Sequence, residues 1–240
     1  MEIEHLPWDS DFFRKKIGKV NIPVLGHFDS CAFKKNAVKE NYDLIYIFKY
    51  DNILNQQDIS IANLELVDIM ITMSKSFDKK ECKNIKYEFR TELSSQELKD
   101  CYYIAEQTSI VSRFYKEKMI GEGKTKELYR KWIDNALVGI HSDGLFLFKD
   151  SVTVAGIHLI KTNDSEKIGY FTMTGVNPNY KRMGVGKNLW LQSLNYWAEK
   201  KNIEVVKSPF SFKNNESLNF HLKMGFNKIE EIKYIYHYRK

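Results

Sequence analysis

Tyr170-Phe171-Thr172-Met173-Thr174-Gly175-Val176-Asn177-Pro178-Asn179-Tyr180-Lys181-Arg182-Met183-Gly184-Val185-Gly186-Lys187 is the stretch on which the fold turns. A strand ends in a turn containing Pro178, a glycine-containing loop follows, and a helix begins whose apolar face is Trp190, Leu194 and Trp197 at spacings i, i+4 and i+7. That order aims consecutive backbone N–H groups, and the positive end of the helix dipole, at whatever lies over the helix start. Gly184 and Gly186 let the backbone approach an anion closely, and Lys181 or Lys187 adds charge, so a pyrophosphate is the natural guest. The third glycine and distant acidic residue of a dinucleotide fingerprint are missing, and so is the Gly-Lys-Ser/Thr ending of a P-loop.

Working outward, the flanking segments alternate strand and helix. Val152 to Ile160 pairs with Leu145-Phe146-Leu147-Phe148 as a β-hairpin, and Ile203 to Lys207 reads as the strand after the glycine-loop helix. Ser94-Ser95-Gln96-Glu97 is a capping-box start for a helix reaching about Thr108, and Leu128 and Trp132 share one face of a second helix. Towards the amino terminus, Trp8 to Phe13 reads as a turn or a capped helix start, ahead of a strand at Ile17–Ile22. A helix over about Cys31 to Asn41, a buried strand at Asp43–Lys49, a helix at Gln56–Asn63 and a strand at Leu66–Met73 complete an incomplete α/β unit. The polar stretch from Ser74 to Asn84 marks a boundary, giving an amino-terminal α/β domain at 1–80 and a second domain at 85–240.

Lys181-Arg182-Met183-Gly184-Val185-Gly186 resembles the acyl-CoA pyrophosphate loop of the GNAT N-acetyltransferase superfamily, with Lys181 in the first motif position. Downstream, Asn214-Asn215-Glu216-Ser217 and the run to Gly225-Phe226 are similar to that superfamily's Asn-x-x-Ala/Ser, helix, Gly-Phe block. The two motifs cover roughly 85–240 and imply an α/β fold, a central mixed sheet with a splayed strand pair at the acyl-CoA site. They also imply acetyl-CoA as donor and direct attack of an amine on its thioester, with no metal. Trp8-Asp9-Ser10-Asp11-Phe12-Phe13, Ser112-Arg113-Phe114-Tyr115 and Leu128 to Ile133 resemble the members that acetylate dTDP-linked 4-amino-4,6-dideoxyhexoses for surface polysaccharide; the alternatives are another amine, on a protein amino terminus, a polyamine or an antibiotic, or an acyl-CoA-binding module without turnover.

The resemblance assigns roles residue by residue. Thr174 and Val176 pair through their backbones with the pantetheine arm, and the Val176 amide points at the thioester oxygen; Gly175 marks a bulge there, or simply ends the strand. Lys181, Met183, Gly184, Val185, Gly186 and Lys187 form the pyrophosphate loop. Asn214 and Ser217 contact the pantetheine, although a helix cap alone accounts for an Asn at 214. His221 stands where the superfamily carries the tyrosine that protonates the leaving thiolate, so it is either the acid or core packing, with Tyr234, Tyr236 and Tyr238 as alternative acids. Arg113 and Tyr115 are the residues for the sugar nucleotide's diphosphate and ring. His158, on a core strand, reads as a buried structural histidine.

Composition sets limits on partners. A chain of 240 residues, 43% hydrophobic and 28% charged, buries a sizeable core rather than remaining disordered. Three scattered cysteines make neither a disulfide framework nor a zinc pattern, so a reducing, cytoplasmic setting is expected. No stretch nears the roughly 18 apolar residues of a spanning helix, and no export signal opens the chain. A net charge of +6 from dispersed lysines suits anionic small ligands better than nucleic acid. Edge strands and the Tyr-alternating last strand permit a homodimer.

Overall fold

The computed structural model describes residues 2–79 and 85–240. Its strands join one ten-stranded mixed sheet in the order β1-β2-β3-β10-β4-β9-β8-β7-β6-β5. In chain order the elements are β1 Glu4–His5, α1 Pro7–Phe13, β2 Ile17–Ile22, α2 Ser30–Lys39, β3 Leu44–Tyr50, α3 Gln56–Ala62 and β4 Leu64–Ser76. Then come β5 Phe89–Arg90, α4 Ser95–Ser109, α5 Gly121–Leu137, β6 Gly144–Asp150, β7 Thr153–Asn163, β8 Ile168–Val176, α6 Val185–Lys200, β9 Val205–Ser211, α7 Asn215–Lys223 and β10 Lys228–Arg239. The mixed α/β architecture is the one the sequence implies.

Alternation along the strands sends side chains to two helical layers. On one face Leu44, Tyr46, Leu145, Leu147, Ile157, Leu159 and Met173 pack against Phe13 of α1, Cys101, Ile104 and Ala105 of α4, and Leu128 and Ile133 of α5. On the other, Phe146, Ala155, Ile160, Phe171 and Val206 meet Leu189, Trp190, Leu194 and Trp197 of α6, while Ile45, Ile47, Tyr236 and Tyr238 lie under Phe33 and Ala37 of α2. Phe171 stacks on Trp197 at 5.5 Å and contacts Trp190 at 4.5 Å between ring centroids, so the helix after the glycine loop is fixed rigidly on β8. α4 starts with the expected capping box: Ser94 N donates to Glu97 at 2.8 Å and Glu97 N to Ser94 Oγ at 3.3 Å.

The segments 1–80 and 85–240 share this sheet. β10 lies between β3 and β4, antiparallel to both, with rungs such as Tyr236–Ile47 and Ile232–Ile71. The stretch expected as a boundary begins inside β4, which continues to Ser76; positions 80–84 lie outside the described residues. Among the described residues no helix is long and apolar enough to cross a membrane.

Candidate active site

β8 and β9 run parallel but pair only at Ile168–Val205, Gly169–Val206 and Tyr170–Lys207. Beyond that point each keeps its outer neighbour, β8 pairing with β7 up to Val176–Gly156 and β9 with β4 up to Ser211–Met70, so a gap opens between them. Asn177 N donates to Ala155 O at 2.9 Å, which makes Gly156–Val176 a non-hydrogen-bonded pair. The amide and carbonyl of Val176, and of Thr174 two residues back, therefore turn away from β7 and into the gap. The bulge lies deeper than Gly175. Register steps from Leu159–Met173 to Ile160–Phe171, leaving Thr172 as the extra residue. Gly175 is required by packing instead, since a Cβ there would stand 2.6 Å from Thr108 Oγ1 and 2.7 Å from Ile104 Cγ2 on α4.

After β8 a short 3₁₀ turn, Pro178–Tyr180, carries the chain to Lys181 and to Arg182 and Gly184, both at positive φ (65° and 84°). Gly184 is the N-cap of α6 and supplies no side-chain cap, so the first-turn N–H groups around Val185, Gly186 and Lys187 remain for a ligand. Lys181, Arg182, Met183, Gly184 and Lys187 are exposed, whereas Val185 is buried and pins the turn to the core. A Cβ on Gly186 would lie 3.5 Å from Phe220 and 3.9 Å from Val176 Cγ2. The helix start thus sits over the end of β8 and against α7.

Asn214 caps α7, its Oδ1 accepting from Ser217 N at 3.0 Å. One turn on, His221 is 2% exposed, enclosed by Trp190, Phe210 and Phe226. Its Nδ1 lies 2.7 Å from Ser217 O and 3.3 Å from Ser217 Oγ, and its Nε2 2.7 Å from Ser208 Oγ on β9. A carbonyl only accepts, so Nδ1 carries the proton and Nε2 receives the Ser208 hydroxyl. Burial pushes the imidazole below its ordinary pKa, keeping the resting ring neutral. Tyr236 and Tyr238 face α2 and α3 on the far part of the sheet, Tyr234 packs against the same cluster, and Leu54 N donates to the Tyr236 hydroxyl at 3.0 Å. His158 is buried, its Nδ1 within 2.9 Å of Thr174 Oγ1, and burial pushes its pKa down to about 3.

On the α4–α5 face a cavity of about 450 Å³ is walled by Trp8, Asp9 and Phe13 of α1, Trp132 and Asn135 of α5, Arg113, and the bulge residues Thr172 and Met173. Arg113 follows α4, its guanidinium 4.1 Å from the Phe114 ring and 5.7 Å from that of Tyr46. Its Nε and the Tyr46 hydroxyl are both enclosed without a hydrogen-bond partner. Burial raises the Asp9 carboxyl, partly countered by Arg113. Tyr115 does not line this cavity; its hydroxyl donates to Glu122 at 2.9 Å. Arg113 also borders a second cavity of about 440 Å³ against Asp68, Ser211 and Asn214. Below it the buried Glu117 takes two 2.8 Å hydrogen bonds from Arg239 and one from His237; burial opposes its charge, but those bonds hold its carboxyl well below the usual range.

The Acetyltransferase (GNAT) family model matches residues 95–226. A search of the curated proteins gives no match. Among solved structures, the chain is similar to a functionally unknown conserved protein from Staphylococcus epidermidis ATCC 12228, at 12% identity and a TM-score of 0.60 over 94% of this chain and 84% of that one. It is similar to a GCN5-related N-acetyltransferase from Kribbella flavida at 10% identity and a TM-score of 0.54, covering 92% of this chain and 81% of that one. A tandem GNAT protein from the clavulanic acid biosynthesis pathway gives 12% identity and a TM-score of 0.55, with 87% and 68% covered. At these identities the likeness is one of fold.

Proposed function

We propose, for a chain that belongs to the acetyltransferase (GNAT) family and transfers acetyl from acetyl-CoA to an amine, that the acceptor is the amino group of a dTDP-linked 4-amino-4,6-dideoxyhexose used in surface polysaccharide synthesis. The observation that carries this acceptor is Arg113, whose unpaired Nε stands in the wall of an aromatic cavity that ends at the bulge of β8. A guanidinium there suits a diphosphate, and Trp8, Phe13 and Trp132 offer planar surfaces for a base. Tyr115, turned to Glu122, takes no part in that wall.

The donor brings an activated thioester. The uncapped first turn of α6 and Lys181 or Lys187 hold its pyrophosphate, and the gap-facing backbone of Val176 and Thr174 hydrogen-bonds its arm. From Val176 to Thr172 is about 13 Å of strand, so groups entering at the α6 start reach inward to the level of the bulge. The cavity reaches β8 at that level, at Thr172 and Met173, and an amide directed into the gap stabilises the oxyanion. Positioning of amine and thioester replaces any covalent enzyme intermediate.

The test is thiol release from acetyl-CoA with dTDP-4-amino-4,6-dideoxygalactose, a polyamine and a peptide amino terminus as competing acceptors, in wild type and Arg113→Met. Release with the nucleotide sugar, falling on the order of 100-fold in the variant through kcat/KM, supports the reading. Equal release with the polyamine or peptide, or indifference to Arg113→Met, removes the sugar nucleotide as acceptor.

A further inference from the structure

Ser208 is the first residue of β9 past the last rung it shares with β8, the Tyr170–Lys207 pair, so it stands at the inner end of the gap. Alternation along β9 sends its side chain to the face of Val206 and Phe210, the face covered by α6 and α7. That is also the face on which the α6 N-terminus meets the gap. The hydroxyl is buried, and its partner is Nε2 of His221 at 2.7 Å, while Nδ1–H of the same ring is held by Ser217 O at 2.7 Å. A hydroxyl on a neutral imidazole, whose other nitrogen is oriented by a carbonyl, is the arrangement that moves protons through the hydroxyl oxygen. Trp190, Phe210 and Phe226 box the ring, leaving Ser208 as its outlet towards the gap.

We propose that Ser208 is a catalytic residue of the acetyl transfer, relaying the proton of the attacking amine to His221 and back to the departing sulfur. As the N–C bond forms, the amine nitrogen gives a proton to Ser208 Oγ while the Ser208 proton passes to His221 Nε2. As the C–S bond breaks, Nε2–H returns its proton to Ser208 Oγ and the hydroxyl proton goes to sulfur. Amine and thioester become amide and thiol, and both side chains end as they began. His221 therefore acts through Ser208, which supplies the contact that the ring, enclosed and short, does not make itself. This rests on the acetyl-transfer reading but not on the identity of the acceptor.

Two readouts test it in wild type, Ser208→Ala, Ser208→Thr and His221→Gln. The first needs no acceptor: the imidazole ¹⁵N resonances of His221 are followed on adding CoA or desulfo-CoA. CoA, but not desulfo-CoA, is expected to shift Nε2 in wild type and in Ser208→Thr, and neither is expected to shift it in Ser208→Ala. Identical responses to the two ligands overturn the proposal. The second is turnover with dTDP-4-amino-4,6-dideoxygalactose, where Ser208→Ala and His221→Gln are expected to lower kcat on the order of 100-fold with acetyl-CoA affinity held within about twofold, and Ser208→Thr to retain activity. Wild-type kcat in Ser208→Ala overturns it. A sulfur-dependent shift in a wild type that acetylates no nucleotide sugar withdraws the acceptor and leaves the relay standing.

Discussion

Replacing Gly186 by Glu separates the stability of the α6 start from its ligand. Gly186 is the second residue of α6, and an added Cβ meets only Phe220 at 3.5 Å and Val176 at 3.9 Å, both ordinary contacts. Removing a helical glycine gains about 0.5–1 kcal/mol, and a carboxylate in the first turn gains about 0.3–1 kcal/mol from the helix dipole. The free protein should therefore be more stable by about 1–2 kcal/mol, a rise in Tm of about 2–8 °C for a chain of this size. The same carboxylate stands in the anion cradle. Two unit charges about 5 Å apart repel by roughly 3 kcal/mol at an effective dielectric of about 20, and the freedom of a Glu side chain to swing outward reduces this by about half. Acetyl-CoA affinity should fall on the order of 10-fold. Calorimetric titration and thermal melts of Gly186→Glu and Gly186→Gln read both quantities, the Gln variant keeping the gain from removing the glycine without the charge or its dipole contribution. A Glu variant that melts higher and binds acetyl-CoA as tightly as the Gln variant would refute the placing of the pyrophosphate at this helix start.

Gly175→Ala should cost about 1–3 kcal/mol, because its Cβ would overlap Thr108 Oγ1 and Ile104 on α4. Much of that should return in the Gly175→Ala/Thr108→Ala double variant, and additive denaturant midpoints would contradict the close α4–β8 approach. Acid should destabilise the fold beginning near pH 6.5: His158 is held at about 3 by burial, so below the unfolded value of about 6.5 the unfolded chain binds a proton the folded chain refuses. Stability then falls by about 1.4 kcal/mol per pH unit from His158 alone, His221 and His237 add in the same direction, and urea melts that are flat between pH 6.5 and 5 would exclude it. Glu97, which Lys149 and the Ser94 amide hold down to about 2, adds a further loss only below about pH 4.5.

What sequence spacing reveals is local. The cradle at Gly184–Gly186, the capping box at Ser94–Glu97 and the Asn214 cap each lie within a few residues, where backbone geometry and residue type determine one another. The bulge could not be read this way. Which residue of β8 becomes unpaired depends on its register against Leu159 and Ile160 of β7, and Thr172 carries no glycine to announce it. The acceptor cavity was out of reach for a similar reason, since Trp8 and Asp9 meet Trp132 and Thr172 only through tertiary packing. For His221 the motif position was legible, but its neutral, enclosed state comes from burial among Trp190, Phe210 and Phe226, and its Nε2 partner Ser208 lies thirteen residues away on another element. The family motif located the residue; the Ser217 carbonyl one turn back sets which atom carries the proton, and Ser208 across from it takes the other nitrogen.

β10 ties the amino-terminal strands to the strands that bound the gap. β10 is the last strand of the chain, yet both its neighbours, β3 and β4, come from the first 76 residues. Without them β10 would present two bare edges, and β9 would lose the β4 pairing that holds it while it parts from β8. The gap needs that outer support, because a strand released from one neighbour stays extended only if the other retains it. The same segment carries α1, whose Trp8, Asp9 and Phe13 close the cavity over Thr172, and Tyr46, which lies under Arg113. Residues 95–226 thus bring the anion cradle and both faces of the gap, while the support for β9 and the outer wall of the acceptor cavity come from the amino-terminal strands and α1.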